Sequence, residues 1–232
     1  MTGRWLLLLL PLVVGGVSPV APAAETKSPL AAWLAAQANI RTWSADFIQT
    51  RTLRSLTQPL SATGHVWFAE PSRFHWELGQ PPQTIAVRAT SELLVIYPRF
   101  KRVERYPLTG PESFRGRAPM AIGVEMLEAG FPRSQAELES RFRIQSQTVS
   151  NRICQLVLQP KSASARKMMP QMKIDFDTQE FSLRATELQF ADGSTLRNDF
   201  TNAVLNATMD EQLFAPKIAN DFTVVEPLKQ HD

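Results

Sequence analysis

Between Gly64 and Tyr106 apolar and polar residues alternate run after run, and no other feature of the chain restricts its fold as strongly. In Arg73-Phe-His-Trp-Glu-Leu78 the side chains of Phe74, Trp76 and Leu78 fall on one side and those of Arg73, His75 and Glu77 on the other. That is the period-two signature of a strand with one greasy and one wet face. The runs 64–68, 83–88, 92–97 and 101–106 continue it, with turn residues between most of them. Consecutive strands of this kind predict an antiparallel meander, whose aromatic-rich face must be covered by helices or hold something apolar.

Helical signals flank and interrupt the strands. Ser28 as N-cap, Pro29 at the first helical position and Leu30, Trp33, Leu34 and Ala38 on one side predict an amphipathic helix over residues 28–39. Alternation begins at residues 43–54. A second helix is expected over 118–129, closed by Gly130, and a short third one over 134–140 behind Ser134. Strands resume at 141–145, 153–159, 171–176, 181–190 and 195–201, with Asp192-Gly-Ser194 as a hairpin turn. Residues 160–170 read as a long loop, and 222–226 as a last extended segment. No repeat or linker divides the chain.

The N-terminus carries Arg4, an apolar run from Trp5 to Val14, and then small residues and prolines ending in Ala21-Pro-Ala-Ala24. This layout predicts a secretory signal peptide, residues 1–23, because the run is shorter than the roughly 20 residues that cross a bilayer. Residues 24–232 are then one exported domain. No cysteine follows the leader to accept a lipid anchor, and the single cysteine, Cys154, excludes an internal disulfide. The net charge of +3 is mild, and the aromatics are committed to sheet faces, so nucleic acid is not an expected partner.

Catalytic and metal signals are weak. His65 and His75 sit on the polar phase of strands without acidic or sulfur ligands at a metal-binding spacing, and His231 is almost terminal. Nucleophile elbows, phosphate loops and zinc-helix motifs are absent from the sequence. The chain is therefore expected to be no enzyme and to need no cofactor or metal.

In order and spacing, Trp43-Ser-Ala-Asp-Phe-Ile-Gln-Thr50, Gly64-His-Val-Trp-Phe-Ala-Glu-Pro71, Arg73-Phe-His-Trp-Glu-Leu78, Gln80-Pro-Pro-Gln-Thr-Ile-Ala-Val87 and Val95-Ile-Tyr-Pro98 resemble the periplasmic outer-membrane lipoprotein carriers, the LolA family. Leu158-Gln-Pro-Lys161, Phe214-Ala-Pro216 and Phe222-Thr-Val-Val225 resemble its C-terminal half. The resemblance implies a mainly β protein with helices, an incomplete antiparallel barrel of about eleven strands with a helical lid over a concave apolar face. It also implies a soluble, monomeric periplasmic carrier of acylated lipoprotein. An inner-membrane ABC-type transporter would load it and an outer-membrane acceptor would unload it. Carriage of another envelope lipid or glycolipid, or a purely interactive envelope module, are the alternatives. The family's arginine before the proline of Trp-x-x-x-Pro, which ties the lid shut, is replaced here by Glu70, with Arg73 as a substitute cation.

On this reading the cavity is lined by Val66, Phe68, Phe74, Trp76, Leu78, Ile85, Val87, Leu94 and Ile96. Met120, Ile122 and Met126 come from the lid, where Met suits repacking around variable chains. The basic run Arg99-Phe-Lys-Arg-Val-Glu-Arg105 offers Lys101, Arg102 and Arg105 for partner docking.

Overall fold

The computed structural model describes residues 28–89, 91–108, 132 and 134–227. The expected signal peptide and the lid residues Met120, Ile122 and Met126 lie outside them. Helix α1, Pro29–Gln37, starts where expected: the Ser28 hydroxyl accepts from the Ala31 N–H at 3.1 Å, and Pro29 occupies the first turn. Its buried residues are Leu30, Trp33, Leu34 and Gln37. Trp33 stacks on Phe176 with ring centroids 4.6 Å apart, while the Gln37 side-chain amide donates to the Phe181 carbonyl. One side of the helix is thereby fixed to the second half of the sheet.

Six strands form the first meander: β1 Thr42–Thr52, β2 Leu60–Ala69, β3 Arg73–Leu78, β4 Thr84–Arg88, β5 Glu92–Tyr97 and β6 Arg102–Pro107. Helix α2, Gln135–Arg141, is capped by Ser134 and leads into the second meander. Its strands are β7 Phe142–Ser150, β8 Ile153–Pro160, β9 Gln171–Asp177, β10 Leu183–Gln189 and β11 Thr195–Leu205. The segment expected as a plain loop contains a short helix, α3, Ala163–Met168, capped by the Ser162 hydroxyl. Its polar composition hid a turn whose Met168 carbonyl accepts from the Ala191 N–H and so ties it to the β10–β11 hairpin. In that hairpin Gly193 has φ +83° and Asp192 Oδ1 accepts from the Ser194 N–H, as the Asp-Gly-Ser signal predicted.

With a last strand, β12, Thr223–Val225, these strands make one open sheet in the order β12-β6-β5-β4-β3-β2-β1-β11-β10-β9-β8-β7. The seam between meanders is the long pairing of β1 with β11, and the whole is an incomplete barrel. Among the described residues it has twelve strands, in keeping with the expected barrel of about eleven. The extended segment expected at 222–226 is the short strand β12, which runs parallel to β6 at the edge. A continuous core lies on one face of this sheet and includes Trp33, Trp43, Phe47, Val66, Phe74, Val95, Leu156, Ile174, Phe176 and Leu188.

Candidate functional site

Antiparallel partners share a face, so strand register decides which side chains meet. From β1 to β6 the registers link Ala45, Val66, Trp76, Ala86, Val95 and Glu104 in one row across the sheet. A neighbouring row is Trp43, Phe68, Phe74, Arg88, Leu93 and Tyr106, and a third contains Phe47, Gly64, Leu78 and Thr84. These rows make the apolar inner face of the first meander. Phe47 and Trp76 touch at a centroid distance of 3.9 Å, and Phe47 lies over Gly64, where a Cβ would come within 2.2 Å of the ring. The glycine is therefore required by close approach.

The expected lining divides between the two faces. Val66, Phe68, Phe74, Trp76 and Leu78 share the inner face. Ile85, Val87, Leu94 and Ile96 lie on the opposite one, because Ile85 pairs with Glu77 and Val87 with His75. There Leu94, Ile96 and Val103 form a separate cluster with Ile85, Ile218 and Phe222, covered by the C-terminal segment. Ala86, Leu93 and Val95 take the inner positions instead. The alternation misleads in β4 and β5 because both phases of Thr-Ile-Ala-Val and Glu-Leu-Leu-Val-Ile are apolar. The only hint was size, since a small Ala86 is what the Trp76 indole needs opposite it.

Beside that cluster the outer face carries polar groups, and they too bind the C-terminal segment. His75 is buried between the Leu213 carbonyl, 2.6 Å from Nδ1, and Glu77 Oε1, 2.9 Å from Nε2. Arg73 pairs with Glu211 and lies 4.8 Å from the Phe214 ring centroid. It thus serves the outer face. Glu70 meets Arg41 Nη1 at 2.5 Å, stapling the ends of β1 and β2.

The proposed docking residues do not form one patch. Lys101 reaches Asp221 Oδ2 at 2.7 Å and its carbonyl accepts from the Thr223 N–H, so it helps to hold β12. Arg102 donates to Glu104 Oε1 at 2.7 Å on the inner face, whereas Arg105 pairs with Glu92 at 3.1 Å on the outer one. Cys154 is fully buried, and burial, with the Asp175 carboxylate as a smaller cause, pushes its thiol up to about 11. Among the described residues no cluster of His, Cys, Asp or Glu could hold a metal ion, and no helix is long and apolar enough to cross a membrane.

An open antiparallel sheet whose apolar inner face carries a capped helix defines the class of incomplete-barrel proteins. The profile described as outer membrane lipoprotein carrier protein LolA matches residues 38–217, and the chain belongs to that family. No curated protein sequence matches. Solved structures similar to it include an uncharacterized conserved protein from Thermus thermophilus. There the TM-score is 0.49 with 9% identity, covering 83% of this chain and 96% of that one. A putative outer membrane lipoprotein-sorting protein domain from Vibrio parahaemolyticus matches with TM-score 0.43 and 11% identity, covering 80% and 96%. The Mycobacterium tuberculosis lipoprotein LppX matches with TM-score 0.34 and 10% identity, covering 79% and 100%.

Proposed function

We propose that this protein is a periplasmic carrier that shields the acyl chains of a lipoprotein, or of another acylated envelope lipid, against the inner face of β1–β5. The observation that carries the proposal is the row Ala45–Val66–Trp76–Ala86–Val95, apolar across five strands of an open sheet, in a chain of this family. Burying an acyl chain is worth about 0.8 kcal/mol per methylene, so a tight cavity would never release it. A face alternating small Ala with a large indole makes imperfect contact, which forfeits part of the dispersion gain and leaves the grip reversible. Cargo then passes down a gradient of affinity without nucleotide at this protein, from an inner-membrane ABC-type transporter to an outer-membrane acceptor.

Residues 1–23 as a cleaved leader, the single domain 24–232 and a lid bearing Met120, Ile122 and Met126 belong to the same proposal. The test is to purify the mature protein from the periplasm of its own host and identify what is bound by lipid and peptide mass spectrometry. Acylated peptides are expected. A free lipid would transfer the role to a lipid carrier, and an empty protein that also rejects a fluorescent fatty-acid probe would overturn carriage.

A further inference from the structure

The β1–β2 hairpin stands out beyond its neighbour. β2 pairs with β3 only from Gly64 onward, but with β1 as far down as Leu60 opposite Arg51. The hairpin therefore runs four residues, about 13 Å, past the end of β3 before its loop begins. Among the described residues no strand flanks Leu60–Ala62 on that side. Residues 54–61 are all exposed, and the segment interleaves cations with leucines, Arg51-Thr-Leu-Arg-Ser-Leu-Thr-Gln-Pro-Leu60. Leu56 is 44% exposed and Leu60 52%. No acidic residue occurs between Asp46 and Glu70. Two further loops adjoin the tip. Arg54 Nη1 donates to the Asp192 carbonyl of the β10–β11 turn at 3.3 Å, and the Ala191 N–H of that turn donates to the Met168 carbonyl at the end of α3. The α3 segment adds Lys161, Arg166 and Lys167, all exposed. Five cations thus gather at one end of the sheet around a single carboxylate, Asp192, which already accepts from the Ser194 N–H and hydroxyl.

We propose that this tip is a docking surface for an anionic phospholipid bilayer. Leu56 and Leu60 enter the boundary between headgroups and acyl chains, while Arg51 and Arg54, backed by the cations of α3, lie against lipid phosphates. The inference goes beyond acyl-chain carriage and does not rest on it. Charge selects the occupant: clustered cations are drawn to an anionic surface within a Debye length of about 10 Å. A carboxylate on the loop would be repelled there and would be costly to dehydrate, and the loop has none. Length agrees with charge. Apolar side chains at a membrane surface sit about 5–10 Å into the boundary, a depth that a 13 Å projection reaches while the body of the sheet stays in water. The remaining loop residues, Ser55, Thr57, Gln58 and Pro59, are uncharged and suit the headgroup layer.

The test is co-sedimentation of the mature protein with sucrose-loaded vesicles of phosphatidylcholine, alone or mixed with phosphatidylglycerol. Partition into the mixed vesicles is expected to be roughly tenfold stronger at low salt and to weaken as salt is added. A second readout places an environment-sensitive NBD dye on Leu56→Cys; Cys154 is fully buried and stays unlabelled. Its emission is expected to shift to the blue on mixed vesicles. Leu56→Asp, and Arg51→Glu with Arg54→Glu, alter exposed residues, so both are expected to keep the thermal midpoint and to lower partition roughly fivefold or more. Equal partition into both kinds of vesicle, binding without the blue shift, or undiminished binding by either variant would overturn the docking surface. So would binding to neither kind, the result that an acidic protein as the true occupant would give. Fatty-acid probe affinity is expected to be the same in the wild type and both variants, so failure of this surface and failure of acyl-chain carriage are read separately.

Discussion

Gly64 shows how one missing methyl group shapes the inner face. A Cβ there would stand 2.2 Å from Phe47 Cζ and 2.3 Å from the Glu77 carbonyl oxygen, and the carbonyl is backbone that cannot step aside. Gly64→Ala is expected to lower stability by about 2–3 kcal/mol through overpacking, seen as a lower urea midpoint with an unchanged slope. Asp177 illustrates an electrostatic constraint. Burial opposes its ionisation, but the Glu180 and Gln179 N–H groups and Arg152 outweigh burial and hold the carboxyl down at about 2. Because the folded value is depressed, the stabilisation is present above the ordinary value of 3.8 and is lost as pH falls from there through about 2. It amounts to about 2 kcal/mol, so Asp177→Asn should lose that much at pH 7 and show a flatter acid limb in pH-dependent unfolding.

The strands β4 and β5 separate two kinds of apolar residue that look alike in the sequence. Ile96 belongs to the outer cluster under Ile218 and Phe222, whereas Trp76 lies in the inner row. Ile96→Ala should cost about 2–4 kcal/mol of stability and leave fatty-acid probe affinity unchanged, while Trp76→Ala should weaken probe binding at least fivefold. Loss of binding in the Ile96 variant with its fold intact would assign the cavity to the other face. The C-terminal segment is fastened similarly: Lys101 with Asp221, Arg73 with Glu211 and His75 with the Leu213 carbonyl. Lys101→Glu is expected to speed limited proteolysis after residue 215, and the charge-swapped pair Lys101→Glu with Asp221→Lys to restore resistance. A docking assay on Lys101 variants therefore has to be read beside this measurement.

Across the molecule, the β1–β11 pairing and the Trp33–Phe176 stack bind the two meanders into one unit. Urea unfolding followed by tryptophan fluorescence and by trapping of the Cys154 thiol, which is fully buried in β8, should give the same midpoint. Separate midpoints would mean that the halves unfold independently. Much of this architecture was legible along the chain. The Ser28-Pro29 helix start, the strand runs from residue 43 onward and the Asp-Gly-Ser turn are local signals, written in caps, periodicity and turn chemistry that act within a few residues. The phase of β4 and β5, the pairing of Arg73 with Glu211 and the parallel pairing of the last extended segment with β6 were not. Where both phases of a strand are apolar, its own residues do not choose a face. The neighbours choose it, through a register that sets Ala86 against Trp76 and Val95 against Glu104. The residues of this chain thus decided that it would be a strand-rich meander with a greasy side and a capped first helix. Only the register between paired strands decided which greasy side chains face inward, and that a carboxylate ends their row.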